Sequence, residues 1–145
     1  MLKVTSSAFD NNAEMPKQYG CAGASQSPPL AIAGVPASAK SLALIVTDPD
    51  APRGTFTHWV VWNIPPSTTS IAAGQEPAGS QGKNDFGANG YGAPCPPSGS
   101  HRYVFHVSAV DTMLNVPAGA SRADVEKAMK GHVVAEGELV GKYRK

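Results

Sequence analysis

The chain has 145 residues, 41% of them apolar, and a formal net charge of +1 at pH 7. This length is enough to bury a sizeable core, so we expect residues 1–145 to form a single domain. The balanced charge argues against nucleic-acid binding, and no apolar run approaches the roughly 18 residues that a membrane-spanning helix needs.

The first half of the chain carries four apolar runs with the length of strands. Weak patterns at residues 2–6 and 30–33 precede a nearly all-apolar run at 41–47, which we expect to be buried on both faces. The fourth run, at 58–64, is rich in Trp and Val. It ends before two prolines, which cannot continue a ladder of hydrogen bonds.

A long segment at residues 65–99 is dominated by turn residues. It holds many of the chain's 15 glycines and 13 prolines, whose combined share is well above the roughly 12% of average proteins. A loop of this length inside a compact domain is usually functional or disordered. The aromatic Phe86 and Tyr91 indicate that this one packs against the rest of the domain.

The last third of the chain predicts two more strands and the one credible helix. The strand patterns lie at residues 102–110 and 138–143. Between them Ser121 is a candidate N-cap, with Asp124 three residues on and apolar residues at helical spacing behind it. Because strands and helices do not alternate as a parallel sheet would require, we predict a mainly β, antiparallel fold with one short helix near residues 121–130.

Two histidines lie near the starts of strands. Residues two apart in a strand face the same way, so His101 shares a face with Tyr103 and with the apolar row beyond it. By the same rule, His58 shares a face with Val60 and Trp62. We therefore expect each histidine to lie where a buried strand opens into a pocket.

An acid, two imidazoles and a phenol converge if these strand ends are neighbours. Asp48 follows the apolar run at 41–47, and with His58, His101 and Tyr103 it would surround one small cavity. Each residue alone has an ordinary explanation, since a histidine at a strand start is commonly a surface residue and Asp-Pro-Asp is a simple turn. Only the combination favours a functional site.

Three chemistries could use these groups. A metal site would take His58, His101 and a carboxylate, but their spacing is not diagnostic. A hydrolase would need an activated nucleophile; Ser98 and Ser100 lie beside His101, yet the sequence has no G-x-S-x-G elbow. Binding of a small anion fits best, because imidazoles, a phenol hydroxyl and backbone N–H groups donate hydrogen bonds to phosphate. We therefore expect no enzymatic activity, no metal and no cofactor.

Short motifs at and around these residues resemble those of one family. The matching segments are, in chain order, Ser27-Pro28-Pro29-Leu30, Asp48-Pro49-Asp50-Ala51-Pro52, His58-Trp59-Val60-Val61-Trp62-Asn63, Asp85-Phe86-Gly87, Gly90-Tyr91-Gly92-Ala93-Pro94-Cys95-Pro96-Pro97 and His101-Arg102-Tyr103-Val104-Phe105. In this order and spacing, they make the sequence similar to the phosphatidylethanolamine-binding protein family, in its bacterial branch.

The resemblance implies a fold of two antiparallel sheets with a small pocket for phosphate and phosphorylated head groups such as phosphoethanolamine. Phe56 stands where eukaryotic members of the family have a tryptophan. The ligand-binding residues that the resemblance implies are Asp48, His58, His101 and Tyr103, with Ala51, Pro52, Phe56 and Gly92 around them.

The expected function is non-enzymatic binding of a small anion or a phospholipid head group. The alternative is an inhibitor or regulator of a kinase or protease that acts through protein–protein contact, and the sequence leaves the protein target unidentified and a homodimer open. The N-terminus lacks the apolar segment of a signal peptide, so the cytoplasm is the default compartment and the periplasm the other candidate.

Cys21 and Cys95 are the only cysteines of the sequence. They are either two buried thiols or a disulfide, and sequence alone does not decide between the two. Both lie in turn-rich segments that the family resemblance places near the binding face. A bond between them would tether these loops and would favour an oxidising compartment.

Overall fold

A computed structural model describes residues 2–145 of the chain. These residues form nine strands, a short 3-10 helix at Lys17–Tyr19 and one α-helix. In chain order the elements are β1 (Lys3–Thr5), β2 (Ala13–Glu14), β3 (Leu30–Ala33), β4 (Ser41–Asp48), β5 (Phe56–Ile64), β6 (Ser70–Ile71), β7 (Ser80–Gln81), β8 (Ser100–Val110), α1 (Arg122–Met129) and β9 (Val133–Arg144).

The strands form two sheets, which confirms the predicted mainly β fold with one short helix. A three-stranded sheet has the order β1-β3-β6, and a six-stranded sheet has the order β2-β9-β8-β4-β5-β7. The pairs are antiparallel except β2 with β9, which is parallel. No helix among the described residues has both the length and the apolar character needed to cross a membrane.

The central strand β4 is buried on both faces, as its nearly continuous apolar sequence predicts. Leu42, Leu44 and Val46 point into the main core, which the residues of the three-stranded sheet close from the other side. Ala43 and Ile45 point the opposite way, into a smaller cluster that α1 covers. The strand therefore contributes to two apolar layers, and its neighbours β5 and β8 are held on either side of it.

The single α-helix begins and ends where its sequence indicates. The Ser121 side chain accepts a hydrogen bond from the Asp124 backbone N–H at 3.2 Å, which satisfies one of the unpaired N–H groups of the first turn. Val125 and Met129 are buried against the outer face of the sheet. Gly131, with φ of +83°, takes the left-handed conformation that ends the helix.

The predicted strands exist, but several boundaries differ from those that the patterns indicated. β3 matches residues 30–33, whereas β5 and β8 each begin two residues before the predicted start. β9 runs the full 12 residues from Val133 to Arg144, because β8 supplies a partner along its length. Within the long segment at 65–99 the strands β6 and β7 have two residues each.

The predicted face of His58 is wrong, because a β-bulge interrupts the alternation of β5. Trp59 lies opposite Val46 and Thr57 opposite Thr47, so His58 is an extra residue without a direct partner on β4. After the bulge, Val60 and Trp62 point towards the helix-side cluster, whereas the His58 ring lies beside Tyr103 on the core side. Bulges are frequent next to functional sites, where they redirect a side chain.

Cys21 and Cys95 form a disulfide whose Cα atoms are 5.3 Å apart and whose residues are separated by 74 positions. Of the two alternatives that the sequence left open, the disulfide is therefore confirmed, and the pair of buried thiols is wrong. Both cysteines are exposed. The bond joins the segment after the 3-10 helix to the Pro-rich end of the long loop.

The two tryptophans of β5 differ in one hydrogen bond. Both are fully buried, on opposite faces of the strand. The Trp59 indole N–H donates to Gln81 Oε1 at 2.9 Å. Trp62 Nε1 has no hydrogen-bond partner among residues 2–145. A buried donor without a partner costs free energy, whereas a satisfied one contributes.

We predict that Trp59→Phe destabilises the protein more than Trp62→Phe, by roughly 1–2 kcal/mol in the free energy of unfolding. The two substitutions remove the same atoms from equally buried rings, so their difference isolates the hydrogen bond. Urea unfolding followed by fluorescence of the remaining tryptophan measures both. Equal costs, or a larger cost for Trp62→Phe, would contradict the prediction.

Candidate functional site

A small cavity lies where the end of β4 meets the starts of β5 and β8. The meeting follows from the topology, because both neighbours of β4 run antiparallel to it. The cavity has a volume of about 160 Å³. Its lining residues are Asp48, Ala51, Pro52, Phe56, His58, Phe86, Cys95, Pro96, Pro97, His101 and Tyr103.

The Asp48 carboxylate is held by one hydrogen bond at each oxygen. Its Oδ1 accepts from the Asp50 backbone N–H at 2.8 Å, in the tight turn that Asp-Pro-Asp favours. Its Oδ2 lies 2.7 Å from Nδ1 of His101. Because Nδ1 of the ring faces the carboxylate, Nε2 is the nitrogen that His101 has left for a ligand.

A surface ion pair supports this arrangement from outside. The Asp50 carboxylate accepts from Nε and Nη2 of Arg102 at 2.9 and 2.8 Å, and from the Arg102 backbone N–H at 2.9 Å. The side-chain and backbone hydrogen bonds from Arg102 lower the pKa of Asp50 to about 2. The pair is largely exposed and adds little stability. It does connect the turn after β4 to the start of β8.

His58 lies against the backbone of Gly92, so its Nδ1 faces a neutral carbonyl, whereas Nδ1 of His101 faces a carboxylate. Its Nδ1 is 2.6 Å from the Gly92 carbonyl oxygen, so Nδ1 carries the proton and donates. Burial lowers the pKa of His58, and the hydrogen bond to Gly92 opposes this only in part. In the neutral ring, Nε2 is the unprotonated nitrogen. It has no hydrogen-bond partner among the described residues and is not sealed from solvent.

Tyr103 lies between the two imidazoles. Its ring packs edge-on to His58 with centroids 5.2 Å apart, and roughly parallel to His101 at 6.5 Å. Burial, and next the negative charge of Asp48, raise the pKa of Tyr103 well above its usual range. The phenol therefore stays protonated over the whole physiological range and can donate a hydrogen bond.

Two phenylalanines form an aromatic wall next to His58. The ring centroids of Phe56 and Phe86 are 4.8 Å apart, and those of Phe56 and His58 are 5.0 Å apart. Phe86 is 56% exposed, which is unusual for a large apolar side chain. The buried Asn84 shapes its loop, since Asn84 Oδ1 accepts from Phe86 N–H at 2.9 Å and Asn84 Nδ2 donates to Gly90 O at 2.9 Å.

The structure brings together all of the expected site residues except Gly92 around the cavity. Gly92 lies behind His58 instead: its N–H donates to the His58 carbonyl at 2.7 Å and its carbonyl accepts from the ring. Sequence reasoning missed four lining residues, Phe86, Cys95, Pro96 and Pro97. All four lie inside the segments of the family resemblance, which was the available signal.

A larger groove of about 460 Å³ lies between α1 and the outer face of the six-stranded sheet. Apart from the exposed Lys130, its charged residues are already paired, for example Arg122 with Glu126 at 3.5 Å and His106 with Glu136 at 3.5 Å. In the small cavity, by contrast, the polar residues Asp48, His58, His101 and Tyr103 are at most 8% exposed. Buried titratable groups in a concavity are the better indicator of a site, so the small cavity is the stronger candidate.

The protein thus combines a three-stranded and a six-stranded sheet with a cavity that holds an Asp, two His and a Tyr where antiparallel strand ends meet. This combination of fold and cavity is that of one family. The family model for phosphatidylethanolamine-binding protein matches residues 5–144. The chain therefore belongs to the phosphatidylethanolamine-binding protein family.

Relatives from archaea and bacteria support this membership. A UPF0098 protein of Methanothermobacter thermautotrophicus is 50% identical over 99% of both chains. A crystal structure of a phosphatidylethanolamine-binding protein homologue from Chlamydia trachomatis has a TM-score of 0.97 at 42% identity, covering 99% of this chain and 97% of that one. Escherichia coli YbcL, described as a new member of the mammalian family, has a TM-score of 0.91 at 34% identity, covering 99% and 98%.

We predict that the protein loses stability as the pH falls below the ordinary histidine pKa of about 6.5, and that His58→Asn removes part of this loss. The pKa of His58 is lower in the folded than in the unfolded state. Between the two values the unfolded chain binds more protons, so the free energy of unfolding falls as the pH falls, by at most about 1.4 kcal/mol per pH unit from this residue.

Asparagine suits this test because its side-chain N–H can still donate to the Gly92 carbonyl but does not titrate. Urea unfolding at several pH values between 5 and 8 gives the slope for the wild type and the variant. Parallel slopes in the two proteins would contradict the assignment of His58.

Proposed function

We propose that the protein is a non-enzymatic binder of small phosphate-type anions, including phosphorylated head groups of the phosphoethanolamine kind. One observation carries the proposal. His58 and His101 are each anchored through Nδ1, to Gly92 O and to Asp48, and each lines the same cavity with Nε2 left for a ligand. The protonated phenol of Tyr103 lies between them.

The size of the cavity favours a ligand of few atoms. Pockets for drug-sized ligands are commonly about 300–1,000 Å³, and one water in the liquid occupies about 30 Å³. A volume of about 160 Å³ suits a tetrahedral oxyanion with a short substituent. The acyl chains of a phospholipid would have to remain outside.

The Asp48 carboxylate repels an anion less than a free carboxylate would, because both of its oxygens accept hydrogen bonds. Oδ1 accepts from the turn and Oδ2 from His101. His58, whose pKa burial lowers, presents a lone pair at Nε2 when it is neutral. An oxyanion placed there favours the protonated ring, which turns Nε2 into a donor. Anion binding at this site is therefore coupled to proton uptake.

The aromatic wall gives the cavity a second kind of contact. Phe86 is exposed at the rim, and the face of an aromatic ring attracts an ammonium group by about 0.5–2 kcal/mol. A ligand with a phosphate in the cavity and an amine at the rim would use both. This supports a zwitterionic head group in preference to inorganic phosphate alone.

We predict that isothermal titration detects binding of phosphate and tighter binding of phosphoethanolamine, and that His101→Asn weakens both about tenfold or more. The variant keeps a donor for Asp48 but lacks Nε2, and a hydrogen bond to a charged group contributes about 1.5–3 kcal/mol.

The matched control is His132→Asn. His132 also faces an aspartate through Nδ1, 2.8 Å from Asp111 Oδ1, but it lies on the exposed surface outside the cavity. The control should bind like the wild type. Equal affinity in the wild type and His101→Asn, or no binding of either compound to the wild type, would refute the proposal.

We also predict that sulfate binds more tightly as the pH falls from 8 to 5. Sulfate keeps its charge over this range, so any change in affinity reports on the protein. If the anion binds the protonated His58 preferentially, the complex takes up a proton and acid favours binding. The dependence should be weaker in His58→Asn. An affinity that is constant with pH, or that rises with pH, would count against the coupling.

A further inference from the structure

The Pro-rich wall of the cavity has few attachments of its own. Cys95, Pro96 and Pro97 line the cavity just before β8 begins, and proline has no N–H to donate. Between Gly92 and Gly99, the one backbone hydrogen bond among the described residues runs from the Cys21 N–H to the Pro94 carbonyl, at 2.9 Å. The buried Pro94 and Pro96 add packing contacts, and the one covalent attachment of this wall is the Cys21–Cys95 disulfide.

The segment on the other side of the disulfide is firmly placed. The buried Tyr143 of β9 lies opposite His101 in the sheet register. Its hydroxyl accepts from the Ala22 N–H at 3.2 Å and donates to the Lys17 carbonyl at 2.8 Å. Gly20 packs against the same ring so closely that a Cβ would overlap it. Cys21 therefore lies between Gly20 and Ala22, which the buried Tyr143 holds in place. The disulfide in turn holds Cys95 and the wall around it.

We propose that the Cys21–Cys95 disulfide controls the anion site in response to redox conditions. The oxidised pair holds the wall of residues 93–98 against the cavity, and reduction of the pair releases this wall. The inference rests on the proposed anion binding. Both cysteines are exposed, so a reductant can reach the bond without unfolding of the protein.

The reductant is a dithiol. One of its thiolates attacks a sulfur of the Cys21–Cys95 bond, which forms a mixed disulfide and releases the other cysteine as a thiolate that takes up a proton. The second thiol of the reagent then attacks the mixed disulfide, closes into an internal disulfide of the reagent and releases the second cysteine as a thiol. Two electrons and two protons pass to the protein, and the dithiol is oxidised.

Without the disulfide, a smaller fraction of the molecules has the wall in its binding position, so the affinity for the anion falls. The apparent dissociation constant rises in inverse proportion to the fraction of molecules with the wall in its binding position. The two sheets, by contrast, have their hydrogen-bond ladders and both apolar clusters without any help from the disulfide. The reduced protein should therefore keep its fold and bind more weakly.

The test is isothermal titration of the full chain with sulfate, before and after reduction by dithiothreitol under anaerobic conditions. We expect sulfate affinity to fall roughly three- to tenfold on reduction, as it would if about a third to a tenth of the reduced molecules kept the wall closed. Amide hydrogen exchange should accelerate at Cys21, whose N–H donates to the Pro94 carbonyl, with little change in β4 and β8. Reoxidation should restore both values.

The matched control is the double variant Cys21→Ala, Cys95→Ala. It should bind sulfate with the affinity of the reduced wild type, and dithiothreitol should leave that affinity unchanged. Normal binding to the oxidised protein with unchanged affinity after reduction would overturn the redox control alone. Loss of the β-type circular dichroism on reduction would also overturn it, since the bond would then support the whole fold. Absence of sulfate binding to the oxidised protein would refute the anion site and the control together.

Discussion

The burial of β4 on both faces is the constraint on which the site depends. A strand with apolar side chains on both sides has to lie inside the sheet, with one layer above it and one below. Its antiparallel neighbours then start where it ends. Asp48 is the first charged residue after this buried run, so the carboxylate is placed at the edge of the core, beside the histidines near the starts of the adjacent strands.

The two histidines show how the same side chain takes different roles in one cavity. His101 faces a carboxylate through Nδ1, whereas His58 faces a neutral carbonyl and is held there by a bulge in β5. Burial consequently lowers the pKa of His58 without a direct ionic partner to offset it. Asp48 supplies negative charge at one side of the cavity, and the uncharged aromatic rings of Phe56 and Phe86 form another.

The residues of the cavity are held in place in two different ways, because some lie on strands and others on turn-rich segments. The strands of the sheet position Asp48, His58, His101 and Tyr103. The turn-rich segments depend on a few local contacts: hydrogen bonds of Asn84 and Asp85 for the loop of Phe86, and the disulfide with one backbone hydrogen bond for the wall. Segments without ladders carry more conformational entropy to be overcome, so a tether matters more there than in a strand. The cavity thus combines a rigid polar floor with walls that are held at a few points.

The sequence predicted the strands of the core and the helix with its Ser121 cap, because hydrophobic period and turn chemistry are local properties. It predicted the convergence of Asp48, His101 and Tyr103 only on the condition that the strand ends are neighbours, and through the family resemblance. The tertiary structure was needed for the orientation of His58, since a bulge is defined by what lies opposite on the partner strand. It also decided the pairing of Cys21 with Cys95 and the position of Gly92 behind a ring instead of in the wall. These depend on contacts between segments distant in the chain, which local patterns do not encode.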